Sequence, residues 1–183
     1  MTQRVGLVGM GLMGQAFIKN MRERQFIVQG FDVDPARMDQ LAEAGGHPAD
    51  TPAEAAKGVD RVIVSVPTSD IARAAIFEDG SGLAAGAEEG LIVMDTTTAR
   101  PEDSERTAAE LKEMGIRYLD SAVSGTSTMA QAGDLVVIAG GEEADFELAD
   151  SAVLTTLLLV RDIRQVCMAC ACACPHDAPP RVM

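Results

Sequence analysis

The chain has 183 residues, 15 basic and 28 acidic, for a formal net charge of −13 at pH 7. That charge disfavours nucleic acid and anionic membrane surfaces as partners, and 3% aromatics with no tryptophan leaves few base-stacking platforms. At 47% hydrophobic the chain can bury the core of one full domain, yet no apolar run reaches the ~18 residues of a membrane helix. The opening lacks a basic-then-apolar leader, so the expected location is cytoplasmic.

Val5 to Val8 has the composition of a buried parallel strand. Gly9, Gly11 and Gly14 follow in G-x-G-x-x-G spacing, and Met13, Phe17 and Met21 then recur every fourth residue, predicting a helix over 10–24. Strand, glycine turn and helix in that order make the phosphate-binding corner of a dinucleotide fold. Gly9 allows the tight turn, Gly11 lets backbone approach a pyrophosphate, and Gly14 lets the helix pack close to the strand. The N–H groups of the first helical turn then face the phosphates.

Such a corner needs a ribose-reading acid about 20 residues on. Ile27 to Phe31 reads as the second strand, and Asp32 follows it. No arginine comes next: Val33 and Asp34 follow, and two acids near the adenosine ribose favour NAD over NADP.

Asp34-Pro35 starts a helix that carries Met38, Leu41 and Ala42 inward and stops at Gly45-Gly46. Thr51-Pro52-Ala53-Glu54 is a capping box opening a short helix to about Lys57. A buried strand over 59–66 ends at Pro67. A helix is expected over 70–77, then loop or broken helix over 79–90. Leu91 to Met94 is a strand running into Asp95-Thr96-Thr97-Thr98, and Pro101 starts a helix ending near Met114 with Gly115 beyond it. Strands follow at 117–119 and 135–139, and Glu142 begins an amphipathic helix. The alternation predicts an α/β, doubly wound, mostly parallel sheet.

Ligands in such sheets bind at the carboxyl ends of the strands. Here those ends are Gly9–Gly14, Asp32, 66–69, 96–98 and 121–126. Thr68, Ser69 and Thr96 read equally well as turn formers and helix caps. Ser124-Gly125 reads as functional, because a small hydroxyl and bare backbone can close on a carboxylate.

These residues resemble the β-hydroxyacid dehydrogenases. Gly9-Met10-Gly11-Leu12-Met13-Gly14 is similar to that family's G-x-G-x-M-G corner. Val66-Pro67 resembles its leucine–proline pair at the cofactor, and Asp95-Thr96-Thr97-Thr98 its D-x-S/T-T turn near the nicotinamide ribose. The segment from Asp120 to Thr126 is similar to its substrate-binding D-A-P-V-S-G-G, with Ala130, Gly133, Leu135 and Gly140-Gly141 at matching spacing. One departure is Thr126, where the family usually has glycine. The resemblance implies a Rossmann-type cofactor domain over 1–150 moving hydride between NAD(P) and a small 3-hydroxy acid. It implies cofactor contacts from Gly9, Met10, Gly11, Leu12, Met13, Gly14, Asp32, Val66, Pro67, Thr97 and Thr98, and substrate contacts from Ser124, Gly125 and Thr126.

In the family a helical second domain supplies a catalytic lysine in a G-x-G-x-x-x-K pattern. The lysines of this chain are Lys19, Lys57 and Lys112, none in that pattern, so no catalytic residue is assigned and that domain is expected to be missing. From Ser151 the composition changes. Residues 153–160 are apolar on all faces and predict self-association, making a homo-oligomer possible. Cys167, Cys170, Cys172 and Cys174 follow, with His176 nearby. Their close alternate spacing suits one metal ion poorly, and the other reading is a divergent or frameshifted tail over 151–183. No metal is expected. Two functions remain: an NAD-dependent oxidoreductase truncated before its lysine, and a stand-alone dinucleotide-binding module.

Overall fold

The computed structural model describes residues 3–149. The apolar run, the cysteines, His176 and the boundary expected after residue 150 lie outside the described residues. Among these no helix is long and apolar enough to cross a membrane.

Seven strands, β1 (Arg4–Val8), β2 (Ile27–Phe31), β3 (His47–Pro48), β4 (Arg61–Val64), β5 (Ile92–Asp95), β6 (Arg117–Ser124) and β7 (Val136–Gly140), form one sheet. Their order is β3-β2-β1-β4-β5-β6-β7, and every neighbouring pair is parallel except β6 with β7. The helices are α1 (Leu12–Glu23), α2 (Pro35–Glu43), α3 (Pro52–Ala56), α4 (Ser69–Phe77), α5 (Leu83–Gly86), α6 (Pro101–Glu113), α7 (Ser127–Ala132) and α8 (Glu143–Ala149).

The two-residue period of the strands divides the core between two faces. Leu7, Ile63, Met94 and Leu119 pack with Phe17 and Met21 of α1. Val8, Val64, Val93 and Tyr118 pack on the other side with Ile76, Leu83 and Leu111. Helices cover both faces, which is why the strands are apolar runs instead of alternating ones. Burying a side chain such as Phe17 or Leu7 contributes roughly 1.5–3 kcal/mol. The strand order reverses direction at β1 and β4, the place where sheets of this kind form their ligand crevice, at the carboxyl ends of the strands.

Local chemistry sets the helix starts. The Asp34 carboxylate accepts from Ala36 N at 3.0 Å, with Pro35 in the first helical position. Thr51 Oγ1 accepts from Glu54 N at 3.1 Å. The return bond of this box is displaced by one residue, since Glu54 Oε2 accepts from Asp50 N at 2.9 Å. Gly115 closes α6 with φ +75°.

The structure differs from the sequence reading in several places, among them the short edge strand β3, which the reading did not expect. Ala42 is exposed, and of the three residues expected inward on α2 only Leu41 is fully buried. The strand expected over 59–66 is confined to Arg61–Val64. The strand expected over 117–119 runs on to Ser124, because β7 pairs antiparallel with its second half. α7 occupies the connection between β6 and β7, so strand and helix alternate to the end while the last strand reverses direction.

Candidate functional site

The glycine turn holds three glycines for three different reasons. Gly9 has φ +92°, continues the β2 ladder by donating to Phe31 O at 2.9 Å, and a Cβ there would strike the Ser65 carbonyl. A Cβ on Gly14 would strike the Gly9 carbonyl, so α1 lies as close to the turn as a side-chain-free residue permits. Gly11 has no such internal cause. Its φ is −63°, open to any residue, and the nearest atom to an added Cβ is Arg37 Nη1 at 3.8 Å. The space above Gly11 is therefore free for a ligand laid against the backbone.

Gly11 is also the N-cap of α1, with no side-chain cap and no acid in the first turn. The first-turn N–H groups are left to an external anion, and the helix dipole favours one. Met10 points into the core and Met13 packs at its edge, whereas Leu12 stands out at 75% exposure beside the turn.

Asp32 closes the corner. Its Oδ2 accepts from Met10 N at 2.6 Å and its Oδ1 from Asp34 N at 2.9 Å, and the residue is buried. The sequence reading placed no arginine here. The structure brings one: Arg37 Nη1 lies 3.2 Å from Asp32 Oδ2, and its Nε lies 3.5 Å from Asp34 Oδ2. The signal was the helix start at Asp34, because a residue in the first turn of α2 folds back over the strand end.

Val66 packs its Cγ1 toward Gly9 and donates its N–H to Thr97 Oγ1 at 3.4 Å. Thr97 N in turn donates to Asp95 Oδ1 at 2.9 Å. Gly9, Val66 and Thr97 thus meet at the crevice, flanked by the exposed Pro67 and Thr98. Thr68, Ser69 and Thr96 are engaged structurally: Thr68 caps α4, Ser69 donates to Asp103, and Thr96 donates to Val64 O at 2.9 Å.

Behind Thr97 lies an acidic pair, one member buried and one half-buried, whose juxtaposition the sequence did not announce. Asp95 and Asp120 face each other in the β5–β6 register. Tyr118 donates to Asp95 Oδ2 at 3.2 Å, and Ser104 donates to Asp120 Oδ2 at 2.8 Å. Burial pushes both carboxyls above the usual aspartate range. Burial and the nearby Asp95 charge push the Tyr118 phenol far above its usual range.

Ser124 ends β6, and Gly125 and Thr126 follow it, all three exposed. Thr126 Oγ1 accepts from Met129 N at 3.3 Å, so its hydroxyl is the cap of α7. α7 is bound to α1: Asn20 Nδ2 donates to Ala130 O at 2.8 Å, and Lys19 Nζ to Gln131 O at 3.3 Å. The segment is thus joined to the glycine turn through α1. Lys57 ends α3 and Lys112 pairs with Glu142 at 2.7 Å, so neither stands at the crevice.

An open glycine turn, an uncapped helix start and an acid at the end of the second strand define a dinucleotide-binding Rossmann domain. The family described as the NAD binding domain of 6-phosphogluconate dehydrogenase matches residues 4–157. The mitochondrial 3-hydroxyisobutyrate dehydrogenase of Mus musculus is 32% identical over 145 residues, covering 79% of this chain and 43% of that enzyme. The structure of the Mycobacterium tuberculosis 3-hydroxyisobutyrate dehydrogenase with L-serine superposes with a TM-score of 0.80 at 26% identity, over 86% of this chain and 53% of that one. An imine reductase from Myxococcus stipitatus in complex with NADP+ superposes with a TM-score of 0.76 at 26% identity, over 85% and 52%. The chain belongs to this family, and the part of it present here is the nicotinamide-dinucleotide-binding domain. It spans about half the length of the curated relatives it matches.

Proposed function

We propose that the chain binds NAD(H) at the carboxyl ends of β1 and β4 and forms the cofactor half of a dehydrogenase acting on a small 3-hydroxy acid. The observation that carries this is the open face of Gly11 beside the uncapped start of α1. Of the residues present, Gly9 to Gly14 would hold the pyrophosphate, and Asp32 would accept from the adenosine ribose. Val66, Pro67, Thr97 and Thr98 would border the nicotinamide half. The bound cofactor supplies hydride transfer; everything else falls to the protein.

Asp32 favours NAD over NADP, because a 2′-phosphate beside it meets like charge. Ser124 and the Gly125 backbone would receive the substrate carboxylate. Thr126 acts there through the α7 cap, since its hydroxyl is already bonded to Met129 N. The substrate class rests on relatives that the chain covers by about half.

The positions of Lys19, Lys57 and Lys112 favour a second reading of these 183 residues, as a module that binds the dinucleotide without turning over substrate. Calorimetric titration of the purified chain with NADH tests the shared part of both readings. Saturable binding that Gly11→Val abolishes supports it, and absence of binding by the wild-type chain overturns it.

A further inference from the structure

Asn20 is an unexpected residue for its place. The buried residues of α1 are Gly14, Ala16, Phe17, Ile18, Met21 and Asn20, and only the last carries a polar side chain. Asparagine is a poor helix former, and a buried amide is tolerated only where it finds a bonding partner. The partner lies on another helix. Asn20 Nδ2 donates at 2.8 Å to the carbonyl of Ala130 in α7, 110 positions away. One residue earlier, Lys19 Nζ donates to Gln131 O at 3.3 Å.

α7 depends on these bonds. Its six residues, Ser127–Ala132, are too few for a helix to hold itself in water. The last carbonyls of a helix have no partner within it. Here Gly133, in the left-handed conformation, donates back to Ala130 O, and α1 supplies the remaining donors through Asn20 and Lys19. The Lys19 charge also sits where the helix dipole favours a cation. At its other end α7 carries the segment read as substrate-binding. Thr126 caps its first turn, and Gly125, at φ +146°, lies so close that a Cβ there would strike Leu135 and touch Met129. The shape of Ser124, Gly125 and Thr126 is therefore held through α7, and α7 is held by α1.

The opposite end of α1 is its uncapped start at Gly11. An anion seated there supplies the missing cap and stiffens the helix. Stiffening a helix orders whatever its far end holds, even without a change of shape. We propose that Asn20 is a positioning residue that couples the dinucleotide cradle to the substrate segment. A dinucleotide bound at the start of α1 orders α7 through Asn20 and Lys19, and with it Ser124, Gly125 and Thr126. This rests on the dinucleotide reading above and adds a link between its two half-sites.

The experiment is hydrogen exchange read by mass spectrometry on the full chain, without ligand and with saturating NADH. Wild type, Asn20→Ala and Lys19→Met are compared, each checked for folding by circular dichroism. Two segments are read: 11–17, beside the cradle, and 127–133, which spans α7. In wild type NADH is expected to slow 11–17 and also to slow 127–133, the latter by about fivefold or more. In Asn20→Ala the slowing of 11–17 stays and that of 127–133 is lost. Lys19→Met is expected to lose part of it, since that side chain is half exposed. Should Asn20→Ala not fold, undiminished slowing of 127–133 in Lys19→Met overturns the proposal. A merely structural bond would act differently: Asn20→Ala would speed 127–133 equally with and without NADH, leaving the ligand-dependent slowing intact. That result overturns the proposal, as does a wild-type chain in which NADH slows 11–17 and leaves 127–133 unchanged. Absence of slowing at 11–17 in wild type overturns the dinucleotide reading instead, a distinct result because it requires no variant.

Discussion

The carboxylate of Asp32 accepts a hydrogen bond from the backbone N–H of Met10 at 2.6 Å, across 22 positions of sequence. The acid at the end of β2 thus holds the glycine turn after β1 in shape before any ligand arrives. Ribose reading and turn geometry share one side chain.

Asp32→Ala should therefore act twice. It leaves the Met10 N–H without its acceptor, and an unsatisfied buried donor costs about 1–3 kcal/mol, visible as a lower denaturation midpoint. It should also weaken NADH more than NADPH and narrow the gap between them. Equal calorimetric affinities for the two cofactors in the wild-type chain would mean that Asp32 does not read the ribose.

Gly11 and Gly14 should separate function from folding. Gly11→Ala puts a methyl group into open space at an ordinary φ, so stability should stay within about 0.5 kcal/mol while NADH affinity drops. Gly14→Ala drives its methyl into the Gly9 carbonyl and should cost about 1–3 kcal/mol. Urea denaturation together with NADH titration of both variants checks the contrast. A Gly11→Ala chain that binds NADH as well as wild type would remove the main support for the proposed site.

The buried Asp95 and half-buried Asp120 carboxyls should make stability depend on pH. Burial raises both, so the folded chain binds these protons more tightly than the unfolded chain does. Their contribution is then fullest below the ordinary aspartate value of about 3.9 and is lost as pH rises through the raised folded-state values. Asp120→Asn keeps an acceptor for Ser104 and removes the charge. The variant should be more stable than wild type at pH 7, with the advantage shrinking as pH falls through the carboxylate range. Urea midpoints at a series of pH values would show it, and a difference constant with pH would contradict it.

Substrate turnover should be absent or very slow. Losing a general acid–base group costs about 10²–10⁴-fold, and none of the lysines stands at the crevice. Incubation with NAD and 3-hydroxyisobutyrate, followed by absorbance of the reduced cofactor, is expected to show no steady-state rate. Clear oxidation by enzyme free of contaminants would show that the acid–base group is already present in these residues.

Much of this was legible locally. The glycine spacing after an apolar strand located the turn, Asp34-Pro35 and Thr51-Pro52 announced their helices, and the capping atoms are the ones those residues supply. The apolar strands declared a sheet covered on both faces. Arg37 was missed because it lies five positions after Asp32 in the chain, and only the turn from β2 into α2 folds it back. The extension of β6 to Ser124 was missed because residues 120–124 mix small polar and apolar side chains without a clear strand signature, and the length of a strand is set by its partner.

What the sequence by itself determined was everything governed by neighbours within about one helical turn: turns that need glycine, caps that need a short acceptor, and the apolar period of each element. What only the tertiary structure decided was which distant groups share a space. Asp32 with Met10, Asp95 with Asp120, and α7 against α1 all follow from how the strands and helices are ordered and packed. The physical reason is that hydrogen bonds and charges act over a few ångströms, and those ångströms are assigned by packing across the sheet, to which residues far apart in the chain contribute together.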